Sequence, residues 1–542
     1  MRKMKDLLKK FPLPQGLQAS RWQSTVAVAL LCVMTTEPSV SGELPVPAAA
    51  LTTLGRADLA FSGNNLIINQ STKQAILNWK SFNIGADSSV QFKQPDASSV
   101  ALNNIYQNDP SQILGKLSAN GQVYLINQNG FVFGKGSQVD VNTLLVSSLS
   151  ISDDTLQRGI TKVLGQDGRA ALVGKGEIYQ KDADGNFILD PNGNKQKVSI
   201  QFLEGSKVNA ATNGRIIAAA PNVENAGSLN ATDGQIMMVA ATDKVYLQEA
   251  SGDPSLRGLI VEVKTGGSVT NTGEINTPHG NATLMGFAVN QAGRISANTS
   301  VSANGSIRLL AREGATVQNT ANGYTLTPGS TIRSTATEDG LGTEAKVILK
   351  SDSQTIATPD LADKATAVDA QNQTPSKIEV MGHAIEVQKD AVVRSNSGKV
   401  SLVATDNPIQ PLTAGVKNNS QVSIDPGAVI DVSGIKDVTL PVSRNVVTVE
   451  LRSNELRDSP LQKKGSLYGK KVQVDIRKGT PLADISGAVA RIERTVSERS
   501  TSGGTLNLSS EGSVEVGKGA KLDFSGGNVR YTSCLLYTSP SP

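Results

Sequence analysis

Apolar residues in this chain come in short runs separated by turn residues, and few runs outlast six positions. Ser111 to Gly134 shows the grammar: Gln122-Val-Tyr-Leu-Ile-Asn127 and Phe131-Val-Phe133 are β-prone pieces parted by Asn-Gly signals. Further on, one pattern of turn, glycine, any residue and aliphatic recurs at Gly214-Arg-Ile, Gly227-Ser-Leu, Gly234-Gln-Ile, Gly273-Glu-Ile, Gly293-Arg-Ile and Gly305-Ser-Ile. Gly427-Ala-Val-Ile-Asp-Val-Ser-Gly434 returns as Gly519-Ala-Lys-Leu-Asp-Phe-Ser-Gly526. A period near twenty residues with three short strands per period predicts an all-β chain coiled as a parallel β-helix. Inward Val, Ile and Leu would then stack as aliphatic columns while backbone groups pair between turns. At roughly 4.8 Å per rung the chain would reach about 100 Å, less whatever its insertions consume.

Two segments depart from the repeat. Glu177 to Gln201 reads as a protruding hairpin around Asp184-Gly185 and Pro191-Asn-Gly193. From Thr480 the spacing changes to steps of three and four through Leu482, Ile485, Val489, Ile492 and Val496. With Thr480 as cap and Pro481 in the first turn, this predicts one short amphipathic helix over 481–499, its apolar stripe packed on the rod.

Composition agrees with an elongated rod. The chain has 51 Gly and only 4% aromatic residues, too little bulk for large compact cores. Residues 1–50 read as signal peptide and leader. Arg2, Lys3, Lys5, Lys9, Lys10 and Arg21 face a lone Asp6 and precede the apolar stretch Thr25 to Met34, too short to span a bilayer. Cleavage could follow Ser39-Val-Ser41 or Ala48-Ala-Ala50. Residues 1–22 carry a net charge of +5, against +4 for the whole chain. The near-neutral remainder argues against nucleic acid as a partner. Cys32 lies in the leader and Cys534 in the last twelve residues, 531–542, which break the repeat and read as a non-native tail. The rod itself would then hold no disulfide.

Catalytic patterns are weak, and the expectation is no enzyme, no cofactor and no metal. His279 follows Pro278 and His383 follows Gly382, both as surface turn residues without a metal-ligand cluster in sequence. Asp182-Ala-Asp184-Gly-Asn186 hints at calcium, but Phe187 and Gly193 stand where an EF-hand loop needs glycine and glutamate, so a turn is the plainer reading. Lys135-Gly136-Ser137 lacks the spaced glycines of a phosphate loop, and no Gly-x-Ser-x-Gly elbow occurs. Arg444, Glu450, Arg452, Glu455, Arg457 and Asp458 read as a solvated face of mutual ion pairs.

Several ordered blocks carry a family resemblance: Asn78-Trp79-x-Ser81-Phe82-Asn83-Ile84-Gly85, Gln91-Phe92-x-Gln94-Pro95, Ile113-Leu-Gly-x-Leu117, and Asn127-Gln128-Asn129-Gly130-Phe131. The front of the chain resembles the N-terminal secretion (haemagglutination activity) domain of filamentous haemagglutinins, the exported partner of two-partner secretion systems. The stretch from Leu440 through Ser500 resembles a later region of the same proteins. Family members usually carry Asn-Pro-Asn-Gly where this chain has Gln128, a change that loosens the turn without abolishing it.

The resemblance, with the general preference of parallel crossovers, implies a right-handed coil. It also implies a secretion domain over 51–200 including the hairpin, β-helix repeats over 201–350, and a continuation over 351–530. The implied partner is a cognate outer-membrane β-barrel transporter with periplasmic polypeptide-transport-associated domains, and a cell-surface receptor is left open. Asn78, Trp79, Phe82, Asn83, Asn127, Gln128, Asn129, Gly130 and Phe131 are the residues assigned to transporter recognition. The implied role is the exported front of a secreted or surface-displayed adhesin at the Gram-negative outer membrane. The alternatives are the stalk of a contact-dependent growth-inhibition toxin or cytolysin, and a β-helix enzyme acting on polysaccharide. The enzyme would need a carboxylate ladder on one face, and none is evident.

Overall fold

The computed structural model describes residues 42–532 except 183, 251–256, 322, 369, 413–414, 416, 452–464 and 482. The basic leader, Cys32, Cys534, Arg452, Glu455, Arg457, Asp458 and most of the expected tail lie outside the described residues.

A parallel β-helix forms because successive runs stack in register. Three long sheets of 12, 13 and 10 strands make its faces, here called faces one, two and three. Rungs repeat as expected: Ile216 pairs with Ile236, and Ile275 with Ile295, each a twenty-residue offset. On face two, Val208, Leu229, Ile275 and Ile295 stand one above another, all fully buried. Burying such a side chain stabilises by about 2 kcal/mol, so the column is a main source of cohesion. The repeated segments near Gly427 and Gly519 are neighbouring rungs, Ile430 pairing with Leu522, although a long excursion separates them in sequence.

Those excursions shorten the rod. Twelve strands on face one span about 50 Å at the usual strand spacing, about half the reach expected if every residue formed rungs. The first strands are antiparallel: Val46–Leu54 runs against Gln74–Ser81, and Ala57–Ser62 against Asn65–Gln70. Pairing of this kind closes the edge of the first parallel rung.

The middle of face one, from Thr143–Ser147 to Asn281–Gly286, is buried on both sides, which the sequence pattern did not reveal. In Gln235–Ala240 every residue is buried. Ile236 and Met238 point into the rod, while Met237 and Val239 join a second apolar cluster outside it. An attached layer covers that outer surface. It comprises helices Asp153–Arg158 and Val163–Asp167 and a sheet of Leu172–Val173, Lys244–Glu249 and Leu259–Val263. Ser152 caps the first helix, its Oγ accepting from Thr155 N. Double-sided burial explains why the face-one strands read as unbroken apolar runs.

The expected hairpin is present and folds back twice, through bridges Tyr179↔Lys197, Lys181↔Phe187 and Leu189↔Lys195. Asp182 and Asp190 each close a turn by accepting from backbone N–H groups two and four residues on. A second hairpin, Thr316–Thr320 with Gly323–Thr327, had no counterpart in the sequence reading.

The single helix expected over 481–499 is replaced by two four-residue helices, Ser486–Val489 and Val496–Arg499, around a strand Glu493–Thr495. That strand pairs with Thr366–Val368, so its backbone is satisfied by a ladder and the helix is interrupted. Thr495, not Thr480, is the side-chain cap, in a capping box with Glu498. Ile492 and Val496 are still buried, so the apolar spacing was meaningful while its periodicity misled.

His383 also corrects its expectation. It is buried, its Nδ1 lying 2.7 Å from Asp406 Oδ1 and its Nε2 3.7 Å from Glu344. His279 does occupy a turn, at φ 53°, but is only partly exposed and lies 3.0 Å from Asp360. Long-range stacking supplies carboxylates that lie far off in sequence.

The candidate transporter-recognition segment

The recognition candidates occupy two corners of the first rungs. Asn78, Trp79, Phe82 and Asn83 come where strand Gln74–Ser81 leaves face one. Asn127 to Phe131 join face-one strand Gln122–Asn127 to face-three strand Gly130–Phe133.

At the first corner the aromatic residues are core. Trp79 and Phe82 are fully buried and meet edge to face at 5.3 Å between ring centroids. The indole N–H donates to Asn103 Oδ1 at 2.9 Å, and Asn103 Nδ2 donates on to the Ala101 and Tyr124 carbonyls. Asn103 was missed by the sequence reading, although a second Asn in the otherwise apolar strand Val100–Ile105 was the available signal. Asn83 accepts from Gln112 N and donates to Glu43 Oε1, each at 2.8 Å. Asn78 Oδ1 accepts from the Tyr106 hydroxyl at 3.1 Å. These amides clamp chain segments together.

The second corner explains how the turn survives without its proline. Asn127 Oδ1 accepts from Asn129 N at 2.9 Å, an Asx turn that supplies the restraint a proline would give. Asn127 is itself fully buried, with Nδ2 donating to Ser111 Oγ and the Asp109 carbonyl. Asn129 Nδ2 donates to the Gln107 carbonyl. Gly130 has φ 93° and lies against Ser199 of the next rung. Phe131 is buried, stacked towards Phe133, which stacks on Phe202 at 4.7 Å. Of the nine candidates, Gln128 alone is exposed, accepting from Lys175 Nζ.

Electrostatics near the segment is quiet. Hydrogen bonds from the Ser98 and Ser99 side chains hold the Asp96 carboxyl at about 2. Burial pushes the Tyr124 phenol up to about 12. Among the described residues no group of three or more His, Cys, Asp or Glu is placed to hold a metal ion. No helix among them is long and apolar enough to cross a membrane.

A β-solenoid front with antiparallel first strands, packed corners and attached extra-helical strands is thus the class of fold. Residues 45–307 match the TPS secretion domain family. A heme/hemopexin-binding protein of Haemophilus influenzae is 34% identical over 180 residues, covering 32% of this chain and 19% of that protein. A second heme/hemopexin-binding protein of Haemophilus influenzae is 40% identical over 87 residues, 16% of this chain and 9% of that one. The crystal structure of the HMW1 secretion domain from Haemophilus influenzae superposes with TM-score 0.49 at 21% identity, covering 72% of this chain and 84% of that one. Residues 45–307 therefore carry a TPS secretion domain, a domain of exoproteins that Gram-negative bacteria secrete through a partner outer-membrane transporter.

Proposed function

We propose that the transporter reads the front of this chain before it folds, within the segment 51–200. The carrying observation is burial: Trp79, Phe82, Asn127 and Phe131 are inaccessible in the folded rod. Side chains of this kind can contact another protein only while the chain is extended. In that state, periplasmic polypeptide-transport-associated domains would bind it by strand addition, with Ile126 and Phe131 refining the choice. Once outside, the same residues become the first rungs, and folding there would oppose backsliding. Deleting residues 63–150 should strand the protein in the periplasm. Normal surface export of that deletion, with the transporter present, would refute the assignment.

Beyond export, we propose that the rest of the chain, with 201–350 and 351–530 as further coil, holds the molecule's working part away from the cell surface. An adhesin is the favoured reading, because a stack of neutral rungs supplies reach and outward surface. A second reading, capture of haem or of hemopexin, rests on the names of the two Haemophilus relatives. Cell-adherence assays and hemin titrations on the secreted protein separate the two.

A further inference from the structure

Where the attached layer meets face one, a cleft of about 400 Å³ opens between the turn from Leu156 to Lys162 and the outer surface of the early rungs. Gln74 Nε2 donates to the Leu156 carbonyl at 3.1 Å and ties the two walls together. Three cations line the cleft, and no carboxylate among the described residues does. Arg158 is already neutralised by Asp154 and Asp167, each at 3.0 Å. Arg215 and Lys162 are not, since neither side chain has a hydrogen bond or an ion pair with any described residue. Nearby polar groups are committed elsewhere: the Tyr124 hydroxyl donates to Gln122 Oε1 at 2.9 Å, and Gln122 Nε2 to the Ser98 carbonyl. Apolar Val100, Ile160 and Ile217 complete the cleft with the Tyr124 ring.

From this chemistry we propose that the cleft binds a small amphipathic carboxylate, its head group on Arg215 and Lys162 and its apolar body along Val100 and Tyr124. A guanidinium can take a carboxylate through two parallel N–H bonds, and an ammonium beside it adds another charge-assisted donor. Arg215 is partly buried, so water screens its charge less than that of an exposed cation. A cationic ligand would be repelled, and a neutral one would leave both charges unmatched. A bare inorganic anion would leave most of the volume unfilled, whereas cavities of this size hold organic molecules. The site exists only in the folded coil with its attached layer. It therefore stands whether or not the transporter reads the extended chain.

Saturation-transfer NMR on the purified chain, with octanoate below its micellar concentration as probe, tests the site. Octan-1-ol supplies the body without the charge, and inorganic sulfate, read by competition, supplies the charge without the body. Octanoate should receive saturation and bind about tenfold more tightly than either. Arg215→Gln should weaken its binding about tenfold and Lys162→Gln about threefold. Because neither side chain has a partner to lose, circular dichroism and the unfolding midpoint should stay at wild-type values. If Arg215→Gln does perturb folding, the exposed Lys162→Gln decides. No saturation of octanoate, equal affinity for octan-1-ol or for sulfate, or binding unchanged in the variants overturns the proposal.

Discussion

Gly130 and Ser199 belong to adjacent rungs, and their backbones run so close that a Cβ built on Gly130 would lie 2.0 Å from the Ser199 carbonyl oxygen. Gly130 also sits at φ 93°, where an L side chain is strained. Gly130→Ala should therefore cost on the order of 2–3 kcal/mol, read as a lower denaturation midpoint of the purified chain. A variant as stable as wild type would show that the corner can open without penalty.

Asn127 offers a sharper contrast with its neighbour. Asn127→Ala removes the acceptor of Asn129 N and the donor to Ser111, for a loss of about 1–3 kcal/mol. Gln128→Ala should stay within about 0.5 kcal/mol. In secretion, Asn127→Ile with Asn129→Ile should lower the amount in culture supernatant sharply, and Lys116→Ala, at an exposed position outside the recognition set, should leave it unchanged. Equal secretion of the two would remove any special role for the turn.

Asn225 and Asn271 look like exposed turn residues in sequence and so like neutral controls; the structure corrects this. Both are buried, Asn225 Nδ2 donating to Asn271 Oδ1 and Asn271 Nδ2 to Gln291 Oε1, each at 2.8 Å. Asn271→Ala strands a group on either side. It should destabilise more than Asn225→Ala, and the double variant should depart from additivity by about 0.5–3 kcal/mol. Additive losses of equal size would mean that the ladder is not coupled.

Asp96 sets an acid dependence. Its carboxyl is held at about 2, against an ordinary 3.8, by the Ser98 and Ser99 hydrogen bonds. A lowered folded value means that the unfolded chain takes up the proton first as pH falls. The contribution is complete above the ordinary value and is lost as pH drops towards 2. The stability difference between wild type and Asp96→Asn should be full at pH 6 and close by pH 2. A difference independent of pH would assign the effect to packing.

The rungs were legible in sequence because a coil with one solvent-facing side writes its period directly, as the Gly273 and Gly293 segments do. The attached layer was not, because Met237 and Val239 belong to a run that reads the same whether one side or both are buried. The helix expected at 481–499 failed for a similar reason: steps of three and four also fit two short helical turns around a strand whose partner, Thr366–Val368, lies more than a hundred residues away. At the candidate segment, the blocks around Trp79 and Asn127 fall at two corners of the first rungs. Their burial, and the partners Asn103, Ser111 and Ser199, depend on contacts between rungs that no local pattern encodes.

Binding of the purified periplasmic domains of the partner transporter to this chain, measured by calorimetry on native protein and on a variant kept unfolded by core substitutions at Leu125 and Phe133, tests recognition before folding most directly. Both residues are fully buried in the first rungs. The predicted result is binding to the unfolded variant, weakened when Phe131 is also replaced, with none to the native rod. Equal or tighter binding to native protein would contradict recognition of the extended chain.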